Sequence, residues 1–285
     1  MIYEHEIPTG SKLYFGKSAK LKREIESVAS ELLYSGGFEE IVTPFFSYHQ
    51  HKSIDETELL RFSDEENHIV SLRADSTMDV VRLITKRVER STNHSKWFYV
   101  QPVFRYPSHE VHQIGAELIG EENLSLSIAM SLDIFEKFGL KPLLHVSNIN
   151  IPKILSEMLH VDLKVFEKGE LQKLLAMEIP WLTKLACLQT IDQIDEILEE
   201  VPQSLKVELL KMKALSQKIS YDNIVFSPLY YVKMRYYNEL FFRFIDKNFT
   251  LGVGGSYDCD GVSSSGFGLY TDNLIEILIK RVGQC

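Results

Sequence analysis

The chain has 285 residues, 45% hydrophobic and 25% charged, with only 15 Gly and 9 Pro, which supplies a sizeable core and excludes a disordered or low-complexity protein. Its 31 Lys and Arg against 40 Asp and Glu give a net charge of −9, which argues against general nucleic-acid binding through an electropositive face. Cys187, Cys259 and Cys285 are far apart with no metal-ligand spacing, no apolar run of about 18 residues occurs, and the N-terminal segment lacks a leader pattern; the sequence thus predicts no metal, disulfide framework or membrane span, and a reducing cytoplasm as the compartment.

Leu21, Ile25, Val28 and Leu32 recur at helical spacing before Gly36-Gly37, so a helix is expected over 18–35 with a glycine stop. Phe38 to Phe46 reads as one strand, bent or placed at an edge by Pro44. Residues 51–68 are polar and acidic and read as a surface excursion, followed by a short strand over 69–73 and a helix capped by Asp75 or Ser76 that carries Met78, Val81 and Leu83. Trp97 to Phe104 and Val111 to Ile119 form a predicted hairpin. A helix over 123–138 ends at Gly139, and a strand resumes over 143–146. The Leu-, Lys- and Glu-rich stretch from 152 to about 220 reads as all helical, with strands returning at 224–226, 236–244 and 250–253 and a last helix over 272–280. The Gly-rich run Leu251 to Asp258 lacks the spacing and Lys of a phosphate loop and reads as a tight turn between strands.

Polar groups stand out on these strand-like segments: Arg73, Asp75, Arg105, Gln113, Glu117, Tyr236 and Tyr237. Residues four apart on a strand share a face, so Gln113 and Glu117 point the same way, and Arg105 on the partner strand is expected opposite them. Such a surface has the chemistry for a zwitterion: Arg for a carboxylate, Asp or Glu for an ammonium, Gln for a polar tip. Composition alone still favours a solvated sheet face. The nine histidines, including the group His49, His51, His109 and His112, show no metal spacing.

In order along the chain, Gly37-Phe38-Glu39-Glu40-Ile41-Val42-Thr43-Pro44 resembles the first motif of class II aminoacyl-tRNA synthetases, Leu72-Arg73-Ala74-Asp75-Ser76-Thr77 the LRPEGT segment of their histidyl branch, and Phe104-Arg105-Tyr106 the second-motif FRxE. His112 to Gly120 resembles the HQxGxExxG strand that holds histidine, Gly254 to Asp258 the GGRYD segment, and Ser265 to Leu269 the opening of the third motif. The resemblance implies an α+β fold, a class II synthetase-like antiparallel sheet flanked by helices, formed by residues 1–150 and 221–285 with a helical insert at 151–220. It also implies a histidine pocket lined by Asp75, Arg105, Gln113, Glu117, Tyr236, Tyr237 and Tyr257, and pairing through the 18–46 unit.

The departures from the synthetase pattern bear on activity. Only five residues, Pro107 to Val111, separate Tyr106 from His112, where the synthetase carries a long ATP- and tRNA-gripping loop. Val232 and Asn273 stand where the catalytic and third-motif arginines belong, and the chain ends at Cys285 without room for an anticodon-binding domain. Phosphoryl chemistry depends on such cations. The pattern resembles the noncatalytic paralogues that serve as regulatory subunits of ATP phosphoribosyltransferase, which implies no cofactor, a short-form catalytic subunit as partner, histidine as a ligand and a homodimer within a hetero-oligomer. Two other readings stay open at this point: a stand-alone amino-acid-activating paralogue acting on a non-tRNA acceptor, and a truncated synthetase-like protein with a different partner.

Overall fold

In the computed structural model, residues 6–48, 54–88, 93–231, 236–259 and 261–282 are described. Helix α1 (Gly16–Ser35) buries Ile25, Ala29 and Leu33, one residue per turn. It ends in a Schellman motif: Phe38 N donates to Leu33 O and Gly37 N to Tyr34 O, with Gly37 at φ +79°. The single strand expected over 38–46 is two short ones, β1 (Glu39–Glu40) and β2 (Phe46–Ser47), in different sheets. The cause is Arg73, whose Nη1 takes the carbonyls of Thr43 (2.9 Å) and Pro44 (3.3 Å) that a continuous ladder would have used. The described part of the 51–68 excursion is not merely surface loop: it contains β3 (Arg61–Ser63), which pairs with β4 (Ile69–Leu72), and with β2 these form a three-stranded antiparallel sheet. His49 and His51 lie outside the described residues.

Helix α2 (Thr77–Leu83) follows, with Asp75 Oδ1 accepting from Met78 N at 2.9 Å while the Ser76 hydroxyl makes no cap bond. Strands β5 (Lys96–Arg105) and β6 (His109–Ile119) form the expected hairpin, α3 (Leu124–Lys137) is capped by Asn123, and β7 (Leu143–Asn148) comes next. The elements between Asn150 and Ser216 are all helices: α4 (Asn150–Met158), α5 (Lys164–Glu167), α6 (Gln172–Leu175), α7 (Pro180–Ala186), α8 (Ile191–Ile197) and α9 (Gln203–Ser216). Strands β8 (Ile224–Phe226), β9 (Tyr237–Asp246), β10 (Phe249–Cys259) and β11 (Val262–Tyr270) then lead into α10 (Thr271–Val282). The Gly-rich run is therefore no turn: it lies in the middle of β10.

Among the described residues the large sheet has eight strands in the order β1-β5-β6-β11-β10-β9-β7-β8, antiparallel through the six central strands and parallel at each edge pair. Two neighbouring cross-strand rows explain what the sheet is for. Phe98, Ala116, Phe267, Gly254, Phe242, Val146 and Phe226 run across seven strands on one face, large alternating with small over the first five, and pack into the main core with α1, α3, α10 and the 150–216 helices. One residue along every central strand, the row reads Trp97, Glu117, Gly266, Gly255, Phe241 and Ser147. That second face is covered by α2, through Met78 and Val81 on Tyr237, Phe241 and Tyr257. Period two thus puts a greasy face under the helices and a polar, glycine-hollowed face under α2.

Candidate functional site

Glu117 lies on the hollowed face with none of its surface exposed. Tyr257 OH donates to its Oε2 at 2.6 Å and Tyr99 OH to its Oε1 at 3.2 Å, while Tyr99 also shares a 3.1 Å hydrogen bond with the Thr77 hydroxyl. Missing side chains make this arrangement fit. A Cβ on Gly266 would sit 1.9 Å from Glu117 Oε2, one on Gly115 2.2 Å from the Tyr99 hydroxyl, and one on Gly255 2.6 Å from the Tyr237 ring. Gly268, two residues beyond Gly266 on the same face, opens on space with nothing within 4 Å.

Tyrosines wall this recess. The Tyr237 ring lies 4.7 Å from that of Tyr236 and 6.5 Å from that of Tyr257, and Tyr236 lies 6.0 Å from Tyr257. Tyr270 is paired across the ladder with Gln113. Asp75, at the start of α2, is near enough that its charge acts on Glu117, Tyr99, Tyr236, Tyr237 and Tyr270. Arg105 acts on Tyr270 from the other side. Asp75, Arg105, Gln113, Glu117, Tyr236, Tyr237 and Tyr257, the pocket candidates, thus lie on or beside one face of the sheet.

The register corrects one detail. Arg105 is opposite His109, not Gln113 or Glu117, whose ladder partners are Gln101 and Trp97. It shares their face but sits at the open end, with Nε on Ala74 O (3.4 Å) and Nη1 on Glu58 Oε2 (3.1 Å). Arg73 is not in the recess at all. It is fully buried, with Nε and Nη2 on Pro102 O (3.0 and 2.7 Å) and Nη1 on Thr43 Oγ1 (2.7 Å) and Gln101 Oε1 (3.0 Å), and it clamps the 43–44 crossing onto β5. Burial lowers its pKa to about 10, with the Asp79 charge opposing; it remains a cation at neutral pH. Asn273 likewise turns away, donating from Nδ2 to Thr250 O at 2.8 Å. Val232 lies outside the described residues.

Burial pushes the Glu117 carboxyl up to about 8, with the Asp75 charge adding to it and hydrogen bonds from Tyr257, Thr77 and Tyr99 pulling the other way. Burial also raises Tyr99, Tyr236, Tyr237 and Tyr257 well above the ordinary phenol range, so these tips stay neutral donors. Burial thus biases Glu117 toward its protonated form, and a cationic group beside it would favour the carboxylate. The recess is therefore suited to a small molecule with a basic end, a second cationic group within reach of Asp75, and an anionic end toward Arg105. Tyr99, Tyr270 and Thr77 escaped the sequence reading. The first was within reach, since alternation along Trp97-Phe98-Tyr99 puts Tyr99 on the Glu117 face.

The fold, with its motif strands side by side, places the chain among the class II, histidyl-tRNA synthetase-like proteins, and the family profile described as "Histidyl-tRNA synthetase" matches residues 15–273. Within that class the chain belongs to the family of ATP phosphoribosyltransferase regulatory subunits. It is 48% identical to the protein of that name from Wolinella succinogenes over 282 residues, 99% of this chain and 98% of the relative, and 42% identical to that of Helicobacter hepaticus over 281 residues, 98% of this chain and all of the relative. Solved structures agree on the fold. A protein described as an ATP phosphoribosyltransferase regulatory subunit/histidyl-tRNA synthetase from Bacillus halodurans superposes with a TM-score of 0.80 at 21% identity, covering 98% of this chain and 84% of that one. A histidine–tRNA ligase subunit from Alicyclobacillus acidocaldarius gives 0.77 at 17% identity, covering 99% of each. The family role is regulatory and noncatalytic. Among the described residues no helix is long and apolar enough to cross a membrane.

Proposed function

We propose that this chain joins a short-form catalytic ATP phosphoribosyltransferase in the cytoplasm, enables its reaction of ATP with phosphoribosyl pyrophosphate, and senses histidine in the recess around Glu117. The near full-length likeness to named regulatory subunits carries the reading. The recess supports the sensing part. Glu117 with Tyr257 and Tyr99 takes the imidazole, Asp75 and Gln113 the ammonium, and Arg105 the carboxylate, while Tyr236 and Tyr237 wall the ring. All chemistry belongs to the partner. The chain works as a homodimer inside the hetero-oligomer, paired through the α1–β2 region, where Val42, Phe45, Phe46 and Tyr48 are exposed.

The activating-enzyme reading receives no support from Asn273, a neutral amide engaged with a backbone carbonyl where a phosphate-gripping cation would be needed. The test combines the purified chain with a short phosphoribosyltransferase. Turnover of ATP and phosphoribosyl pyrophosphate should rise with the chain present and fall with added histidine, and calorimetry should give a histidine heat that Glu117→Ala abolishes. Histidine-dependent pyrophosphate exchange by the chain alone would overturn the assignment of all chemistry to the partner. Silence toward histidine with the catalytic subunit present would reduce the chain to a scaffold.

A further inference from the structure

Glu58 lies outside the recess, on the short 3-10 turn Glu56–Glu58, and nothing in the motif pattern points to it. Its placement is nonetheless fixed from two directions. Asp55 accepts from both Thr57 N (3.0 Å) and the Thr57 hydroxyl (2.7 Å), which sets the turn, and Tyr106 N donates to Glu58 O at 2.8 Å, which ties the turn to the end of β5. The Glu58 carboxylate therefore meets Arg105, the residue immediately before Tyr106, at 3.1 Å. Arg105 Nε is on Ala74 O, beside Asp75, and Nη2 makes no hydrogen bond among the described residues.

We propose that Glu58 is an internal competitor for the cation that receives the ligand's carboxylate, and so sets the affinity of the recess. This rests on the amino-acid reading of the recess given above. A carboxylate on Arg105 offers the same two-oxygen face that an amino acid would, and a planar guanidinium accepts one well-oriented carboxylate at its Nη edge at a time. In the free protein Nη1 of that edge is held by Glu58. Ligand binding exchanges the Glu58 carboxylate for the ligand's, and Glu58, about half exposed, passes to water at small cost. The exchange keeps the sensor from saturating at low amino-acid concentration. It also frees the side-chain tether of the turn that leads into β3, on the small sheet where Phe46, Phe62 and Ile69 are exposed.

The experiment is calorimetric titration of the full chain, with its Glu58→Gln and Glu58→Asp variants, using histidine and histamine, its analogue without a carboxylate. Among the described residues Glu58 makes no hydrogen bond to the recess tyrosines, and both variants are expected to fold. Histidine should bind Glu58→Gln about two- to fivefold more tightly than the unmodified chain, the range expected when an exposed ion pair no longer competes. Glu58→Asp keeps the charge but is one methylene too short for the contact, and it should show the same gain. Histamine should gain nothing in either variant. Equal or weaker histidine binding in Glu58→Gln would overturn the competitor role and make Glu58 a support for Arg105, leaving the amino-acid reading intact. A gain in Glu58→Gln absent from Glu58→Asp would overturn it in favour of a general field effect. No histidine binding by any of the three chains would overturn both readings together.

Discussion

The glycines behind Glu117 make a sharp test of how the recess is built. In Gly266→Ala the new Cβ would stand 1.9 Å from Glu117 Oε2, 2.8 Å from its Cδ and 2.6 Å from Ala116 O. Ordinary carbon contacts lie at about 3.5–4 Å. The carboxylate must move by about 1.5 Å or more, and the Ala116 oxygen, part of the backbone of β6 alongside β11, cannot follow without disturbing the ladder. Overpacking of this kind costs about 1–3 kcal/mol, and separating Glu117 from Tyr257 strands a buried polar pair at about 1–3 kcal/mol more. The variant should lose about 2–6 kcal/mol, a Tm lower by roughly 5–20 °C for a domain of this size. Gly268→Ala is the control, because its Cβ meets nothing within 4 Å. It should stay within about 0.5 kcal/mol of the unmodified chain, or gain slightly through a less flexible unfolded state. Urea titrations of the two variants decide the matter. Equal midpoints would show that Glu117 is not seated against Gly266 and would refute the packing argument.

Glu117, held at about 8, keeps a proton in the folded state that the unfolded chain releases near the ordinary glutamate value, so stability should fall as pH rises from about 4.5 to about 8. Glu117→Gln should flatten that slope, as read from urea midpoints at about pH 5 and about pH 8.5; an unchanged slope would assign the pH dependence elsewhere. Arg73→Lys should destabilise by about 3 kcal/mol or more, because an ammonium cannot reach Pro102, Thr43 and Gln101 together; chemical denaturation should show a loss nearly as large as for Arg73→Ala. Phe46, 59% exposed, is expected in the homodimer contact, so Phe46→Asp should shift light-scattering mass toward the monomer without changing the far-UV spectrum; a concentration-independent monomer for the unmodified chain would end that proposal.

Long periodic segments were legible in the sequence. The hairpin of β5 and β6, α1 with its glycine stop, and the helices from 150 to 216 all follow from spacing and capping residues. What escaped was decided by long-range partners. No local rule announces that Arg73 will take the carbonyls of Thr43 and Pro44 and split a strand that β-branched residues favour. Nor does composition reveal that the glycines of β10 are mid-strand, since their reason is a ring on β9: a Cβ on Gly254 would lie 2.3 Å from Phe242 Cζ. Within the recess, residue types and alternation brought Gln113 and Glu117 together. The placing of Arg105 needed the register, which depends on where the hairpin turns, and that is set by a connection too irregular to read.

The recess owes its depth to atoms that are not there. Glycine is the smallest residue, so every substitution at Gly115, Gly255 or Gly266 adds bulk toward Tyr99, Tyr237 or Glu117, and none removes any. Exchange of surface loops would leave that floor untouched. Widening the recess for a bulkier ligand is open only at its walls, where Tyr236 and Tyr270 are partly exposed side chains that can shrink. Drift at the floor can abolish ligand selection in one step, whereas redirection toward a new ligand must proceed from the rim inward.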